Sequence, residues 1–251
     1  FLMKDIIIVG GGSAGWMTAA TLIKAFPNKN ITLIESKNIP TVGVGESTLG
    51  KIQSWINFLE IKDEDFLKEV DGIYKLSIKF TDFYKKGESF HYPFGKVDLN
   101  DNLNGLNDAN CFYKNMAYVN NNTFNKELVA AYAFHFDATK LGLWLKNNYC
   151  LPKGVKHIVD DVKTVEQYEE GIKSLNNKYT ADLYVDCTGF KSLLLGEALK
   201  EPFESYADKL PNNSAWATKI PYKNKEKELV PYTNCTAYNN GWIWNIPLWS
   251  R

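Results

Sequence analysis

The run Asp5-Ile6-Ile7-Ile8-Val9 leads directly into Gly10-Gly11-Gly12-Ser13-Ala14-Gly15, and no other stretch constrains the fold as tightly. An unbroken apolar run of this length reads as a strand covered on both faces. The glycine spacing reads as a sharp turn from that strand into a helix. Gly10 permits the turn, and Gly12 has no β-carbon to keep a pyrophosphate from the backbone. Gly15 lets the helix pack close to the strand, with its N-terminus towards the phosphates. Residues 13–26 then read as the helix, closed by Pro27-Asn28, and residues 31–34 as a second buried strand. Glu35 ends that strand, twenty residues after Gly15, where a carboxylate accepts hydrogen bonds from ribose hydroxyls. The predicted dinucleotide site is therefore Gly10, Gly12, Ser13, Ala14, Gly15 and Glu35. The motif alone does not separate NAD from FAD.

The remaining chain departs from regular strand–helix alternation. A second glycine cluster, Gly43-Val44-Gly45-Glu46-Ser47-Thr48, precedes a predicted helix over 49–59, and residues 63–69 read as a further helical turn or two. Residues 75–84 alternate, with Leu76, Ile78 and Phe80 on one side and Lys75, Ser77, Lys79 and Thr81 on the other. That period predicts one strand with a buried apolar face and a solvated polar one. Residues 86–125 are rich in asparagine, glycine and aromatics and read as an irregular excursion beside a substrate. A helix is predicted over 138–148, a hairpin or meander over 155–176 turning at Asn176-Asn177, a buried strand over 182–185 and a helix over 193–199. No internal repeat is visible, and no composition shift splits residues 1–251 into separate domains. The fold class predicted is α/β.

Composition narrows the function classes. Lysine plus arginine and aspartate plus glutamate both number 29, so no net field draws the chain to nucleic acid or an anionic membrane. No apolar run reaches the ~18 residues of a membrane-spanning helix. Met3 reads as the native start, with Phe1 and Leu2 a remnant ahead of it, and the first strand follows too soon for a signal peptide. Cys111, Cys150, Cys187 and Cys235 are dispersed, as are His91, His135 and His157. These spacings suit a reduced cytoplasm and structural thiols, and they predict neither a disulfide frame nor a metal site. The strand-like run that ends at Arg251 reads as part of a longer protein.

The order of short blocks along the chain resembles the flavin-dependent halogenases, above all the tryptophan halogenase branch. The blocks are Gly-Gly-Gly-Ser-Ala-Gly-Trp (10–16), Gly-Val-Gly-Glu-Ser-Thr (43–48), Ile-Lys-Phe (78–80), His-Tyr-Pro-Phe-Gly (91–95), Phe-His-Phe-Asp-Ala (134–138), Val-Asp-Cys-Thr-Gly-Phe (185–190) and Trp-Ile-Trp-Asn-Ile-Pro (242–247). Ser47 stands where that family usually has alanine, and Leu49-Gly50 replaces its usual apolar-proline continuation. The resemblance implies a flavin monooxygenase-type FAD domain, a Rossmann-like parallel sheet with an antiparallel β layer. It implies FAD, used as FADH2, with oxygen and halide as co-substrates, and adds Gly45, Glu46, Asp186 and Gly189 to the cofactor residues. A separate NAD(P)H-dependent flavin reductase is implied as partner, because no NAD(P)H site is evident. A homo-oligomer is compatible with the reading.

By the same resemblance Lys79 is the catalytic residue. Reduced flavin, oxygen and halide give hypohalous acid, which must be held against one carbon of an electron-rich, indole-like ring. An ammonium can polarise it by a hydrogen bond, and a neutral amine can form an N-halo adduct. Without the resemblance, a lysine on a polar strand face reads as solvated. Trp242 and Trp244 share one side of a strand with Ile246. The resemblance places them near the flavin, keeping the organic substrate from hydroxylation. Without the resemblance, a pair of core or surface-patch tryptophans with no role at a site is an equal reading. His91, Pro93 and Phe94 read as a substrate-side aromatic wall or as ordinary packing. His135 and Asp137 share a face without a nucleophile beside them. The glutamate that assists the lysine and the halide site fall beyond Arg251 in the resemblance. An aromatic hydroxylase on the same fold, and a non-catalytic FAD-binding protein, are the two alternatives.

Overall fold

The computed structural model describes residues 3–41, 43–95, 113–129 and 131–251. Its contacts divide the chain into two compact units, residues 1–43 with 138–213 and residues 44–137 with 214–251. Cys111 and the middle of the 86–125 excursion lie outside the described residues.

In the first unit, strands β1 (Asp5–Val9) and β2 (Asn30–Glu35) flank helix α1 (Ser13–Ala25) in sequence. A four-stranded parallel sheet has the order β11-β1-β2-β8, where β8 is Lys156–Val159 and β11 is Leu183–Asp186. Ile6, Ile7, Ile8 and Val9 are all buried. Fully burying one such side chain stabilises by roughly 1.5–3 kcal/mol, so this short strand anchors the unit. One face of the sheet takes α1, whose buried Trp16, Ala19, Ala20 and Ile23 recur at helical spacing. The other packs Ile7, Val9 and Ile34 on Leu175 and Leu194. That double cover is the reason the strands read as continuous apolar runs. Pro27 ends α1, because the residue before a proline is disfavoured in helical conformation and Phe26 leaves it at φ −133°, ψ 65°.

Residues 155–176 split between two sheets. β8 joins the parallel sheet, and only β9 (Val165–Tyr168) and β10 (Gly171–Leu175) form a hairpin. Asn176 and Asn177, both at positive φ, form the expected turn, which follows that hairpin and returns the chain from Leu175 to a bridge with Tyr179. The helix at Ala138–Trp144 (α5) widens into a π-helical turn at Leu145–Cys150.

The second unit holds a three-stranded antiparallel sheet, β3 (Gly45–Ser47), β7 (Ala133–Asp137) and β4 (Ile73–Lys75), in the order β3-β7-β4. A four-stranded sheet has the order β13-β12-β5-β6, with β5 at Ser77–Thr81, β6 at Ser89–Pro93, β12 at Tyr232–Tyr238 and β13 at Gly241–Asn245. Helices α2 (Lys51–Phe58), α3 (Asp63–Phe66) and α4 (Lys114–Asn120) belong to this unit. Strand β6 and helix α4 both fall in the span predicted to be irregular.

The single strand predicted over 75–84 is instead two. At Leu76 the chain leaves the β7 pairing, with its N–H bonded to the Pro231 carbonyl and its carbonyl accepting from the Phe94 N–H. The supposed solvated face is wrong as well. Lys75 is 1% exposed and Ser77 fully buried, and both find polar partners there, Lys75 in Ser47 and Thr48 and Ser77 in His91.

Candidate functional site

The glycine turn in the first unit is built as its spacing requires. Gly10 has φ +113°, and a β-carbon there would lie 2.2 Å from the Cys187 carbonyl oxygen. A β-carbon at Gly15 would lie 1.9 Å from the Gly10 carbonyl oxygen. At Gly12 the nearest atom to such a carbon is a Thr41 methyl at 3.8 Å, so the backbone there faces open space. No side chain caps the N-terminus of α1, and the amides of its first turn, at Ser13 and Ala14, keep their dipole for an anion. An open glycine beside an uncapped helix start fits a pyrophosphate.

Glu35 sits at the carboxyl end of β2 and lines a small adjoining cleft, with Gly11, Ser13, Trp16, Thr41 and Lys146 among its walls. The Lys146 Nζ lies 3.0 Å from Glu35 Oε1, and His157 Nε2 lies 2.6 Å from the same oxygen. The other oxygen, Oε2, lies against Gly11, where a β-carbon would come within 1.7 Å of it. Sequence spacing passed over Gly11, Lys146 and His157. The first is obligatory because the carboxylate lies on it; the other two are far off in the chain and arrive through the π-helical turn after α5 and through β8.

Asp186 does reach the carboxyl edge of the sheet, beside β1 where the strand order reverses. Its carboxylate is already full. It accepts from the Thr188 N–H and hydroxyl and from the Leu194 and Leu195 amides, at 2.6–3.0 Å. These bonds hold Asp186 below the usual carboxylate range against the opposing effect of burial. It shapes the loop through Gly189, which has φ +66° and open space around it.

Gly45 and Glu46 lie on β3 in the second unit. Partial burial raises the Glu46 carboxyl above its ordinary value. In the four-stranded sheet of this unit, the registers place His91, Lys79, Asn234 and Asn245 in one row across β6, β5, β12 and β13. Lys79 is half-buried and has no hydrogen-bond or ion-pair partner among the described residues. Next to it His91 Nδ1 lies 2.9 Å from the Ser77 hydroxyl, and its ring meets Tyr232 edge-on at 5.0 Å. Thr81 donates to the Asn234 side-chain oxygen at 2.9 Å. Lys79 thus stands in a polar row edged by aromatic rings.

Trp242 and Trp244 do share a side, with ring centroids 5.5 Å apart, and both are exposed. It is the opposite side from Lys79. Trp244 pairs across Cys235 to Phe80 and Phe90, the alternate positions of the pleat. Pro93 and Phe94 are buried, and Phe94 lies under the Lys75 Nζ at 5.1 Å. Both ring nitrogens of His135 are taken, by Thr233 and by the Pro247 carbonyl, which leaves none for Asp137. Asp137 pairs with Arg251 at 3.0 Å. Among the described residues no group of three or more His, Cys, Asp or Glu is placed to hold a metal ion.

Burial lowers the Lys75 ammonium from its ordinary 10.5 to about 8, with Cys235 opposing the shift. The folded value lies below the unfolded one, so between about pH 8 and 10.5 the unfolded chain binds more protons. This group's contribution to stability therefore rises with pH across that window. The stability of wild type relative to Lys75→Met is expected to rise by roughly 3 kcal/mol from pH 8 to 10.5. Paired urea unfolding curves test this; a flat difference would show that the ammonium is not desolvated.

The tryptophan halogenase family profile matches residues 5–251. The tryptophan 6-halogenase SttH of Streptomyces toxytricini is 36% identical over 98% of this chain and 55% of its own length. Its crystal structure superposes with a TM-score of 0.87, over 99% of this chain and 56% of that one. The 7-chloro-L-tryptophan 6-halogenase KtzR of Kutzneria is 35% identical over 98% of this chain and 56% of its length. The apo structure of VirX1 superposes with a TM-score of 0.90 at 39% identity, over 99% of this chain and 54% of that one. The chain spans about half the length of the curated relatives it matches.

Proposed function

We propose, from the premise that this chain belongs to the tryptophan halogenase family, that its protein halogenates an electron-rich, indole-like aromatic ring. The observation that carries the reading is Lys79, half-buried, without an ion-pair partner among the described residues and flanked in its row by His91 and Asn234. A lysine in that setting has its donor available to a bound group.

The first unit supplies the cofactor cradle. Gly10, Gly12 and Gly15 shape it, the Ser13 and Ala14 amides face the pyrophosphate, and Glu35 meets the ribose. Asp186 and Gly189 set the neighbouring loop, and Gly45 and Glu46 are cofactor residues by the family resemblance. Bound as FADH2, the cofactor would supply two electrons to oxygen, and the halide two more, so that hypohalous acid and water result. Lys79 receives that acid and directs its halogen to one ring carbon, by a hydrogen bond from the ammonium or by an N-halo adduct of the amine. Trp242 and Trp244 keep the organic substrate from the reduced flavin and oxygen, while His91, Pro93 and Phe94 belong to the substrate side. A separate NAD(P)H-dependent reductase in the cytoplasm delivers the reduced flavin.

The test is product analysis with the full-length enzyme, a flavin reductase, and indole-type substrates with and without chloride or bromide. Halogenated product that depends on halide is expected. Hydroxylated product regardless of halide would replace this reading with an aromatic hydroxylase, and FAD binding without turnover would leave a flavin-binding protein. NADH alone is expected not to bleach the bound flavin, and rapid bleaching would refute the two-component scheme.

A further inference from the structure

The interior of the second unit holds polar groups that the proposed reaction does not use. Lys75, His135 and Thr233 are each at most 2% exposed, and they lie on three different strands. They form a chain. The Lys75 Nζ donates to the Ser47 hydroxyl and to the Thr48 carbonyl, both at 2.8 Å. The Ser47 and Thr233 hydroxyl oxygens are 2.5 Å apart. Thr233 Oγ1 lies 2.8 Å from His135 Nε2, and His135 Nδ1 lies 3.0 Å from the Pro247 carbonyl oxygen.

The proton positions in this chain follow from its two ends. The Pro247 carbonyl can only accept, so His135 carries its proton on Nδ1. Complete burial and the nearby Lys75 keep the ring neutral, well below its ordinary pKa. Its Nε2 is then an acceptor, and the Thr233 hydroxyl must donate to it. Thr233 accepts from Ser47, and Ser47 accepts from Lys75. Every bond runs in one direction, from Lys75 to Pro247, and no member can turn round without leaving a buried group unpaired. The other titratable group facing Lys75 is Cys235 on β12, whose thiol burial holds above its ordinary value.

We infer that Lys75, Ser47, Thr233 and His135 form one directional hydrogen-bond chain that locks Thr48, at the end of the glycine–glutamate segment, to Pro247, at the end of the tryptophan segment. It also crosses β12, the strand beside Lys79. The four are positioning residues, none of them catalytic. Their function rests on the halogenase reading above, in which the two joined segments serve the cofactor side and the substrate side. Ser47 is the central link, because its hydroxyl both accepts from Lys75 and donates to Thr233; an alanine there leaves the chain in two pieces.

Two measurements on the full-length enzyme test this. The first is nitrogen NMR of the His135 ring without turnover. A neutral ring protonated on Nδ1 is expected from pH 5 to 8, with the Nε2 resonance shifted in Thr233→Val and restored in Thr233→Ser. An imidazolium at pH 7, or a proton on Nε2, would overturn the chain even if every variant failed to fold. The second is the yield of halogenated product per flavin oxidised. Ser47→Ala and Thr233→Val are expected to lower that yield by about tenfold with flavin oxidation unchanged, and Thr233→Ser to keep most of it. Wild-type yield in both hydroxyl-deleting variants, or an equal fall in Thr233→Ser, would overturn the positioning role. If the wild type makes no halogenated product, the functional reading fails, and the ring spectrum still decides the chain.

Discussion

Replacing Lys79 with alanine is expected to lower halogenated product by roughly two to four orders of magnitude, the range lost with a positioned proton donor. FAD binding and flavin oxidation by oxygen should stay near wild type, because Lys79 bonds to nothing else among the described residues and its removal leaves no partner unsatisfied. Hypohalous acid would still form but escape undirected. The check is to measure oxygen consumption, trapped hypohalite and halogenated substrate in the same reaction. Product at the wild-type level would remove Lys79 from the mechanism. Lys79→Arg separates the two roles open to the lysine. Arginine stays protonated and cannot readily form an N-halo adduct, while it donates hydrogen bonds well. Substantial product from the arginine variant would favour the hydrogen bond, and its loss would favour the adduct.

The second large effect is at the glycine turn, where neighbouring glycines should fail in different ways. Gly12→Leu should fold, since a β-carbon there meets nothing closer than the Thr41 methyl at 3.8 Å. Its side chain would fill the face left for the pyrophosphate, and FAD affinity should fall by about two orders of magnitude or more, roughly 3 kcal/mol. Gly15→Ala carries the opposite signature. Its β-carbon would lie 1.9 Å from the Gly10 carbonyl, so α1 must move off β1, at a cost of about 3 kcal/mol in stability. Flavin titration and urea unfolding of both variants separate the two. A Gly12→Leu protein that binds FAD as tightly as wild type would place the cofactor elsewhere. A Gly15→Ala protein as stable as wild type would mean that the helix does not pack as closely as described.

The first unit was legible in the sequence because its determinants are local. A strand buried on both faces must be apolar throughout, and a tight strand-to-helix turn must use glycine at set intervals. Thus β1, the turn, α1 and β2 could be placed to within a residue or so from residues 5–35 alone. The order of short blocks along the chain was equally legible, and it carried the family. What the sequence by itself could not decide were the pairings between distant segments. Period-two alternation over 75–84 says which residues share a side, but not that the chain changes sheets at Leu76. Nor does it say whether the polar side meets water or another layer. Only tertiary packing, which brings Phe94 and Cys235 of β12 against Lys75, turned it into a buried cation, while Lys79, four residues on in the next sheet, has no partner among the described residues. The separation of Lys79 from Trp242 and Trp244 has the same origin. Alternation within a strand is local chemistry, whereas the register that carries it across to neighbouring strands is set by packing between segments more than a hundred residues apart.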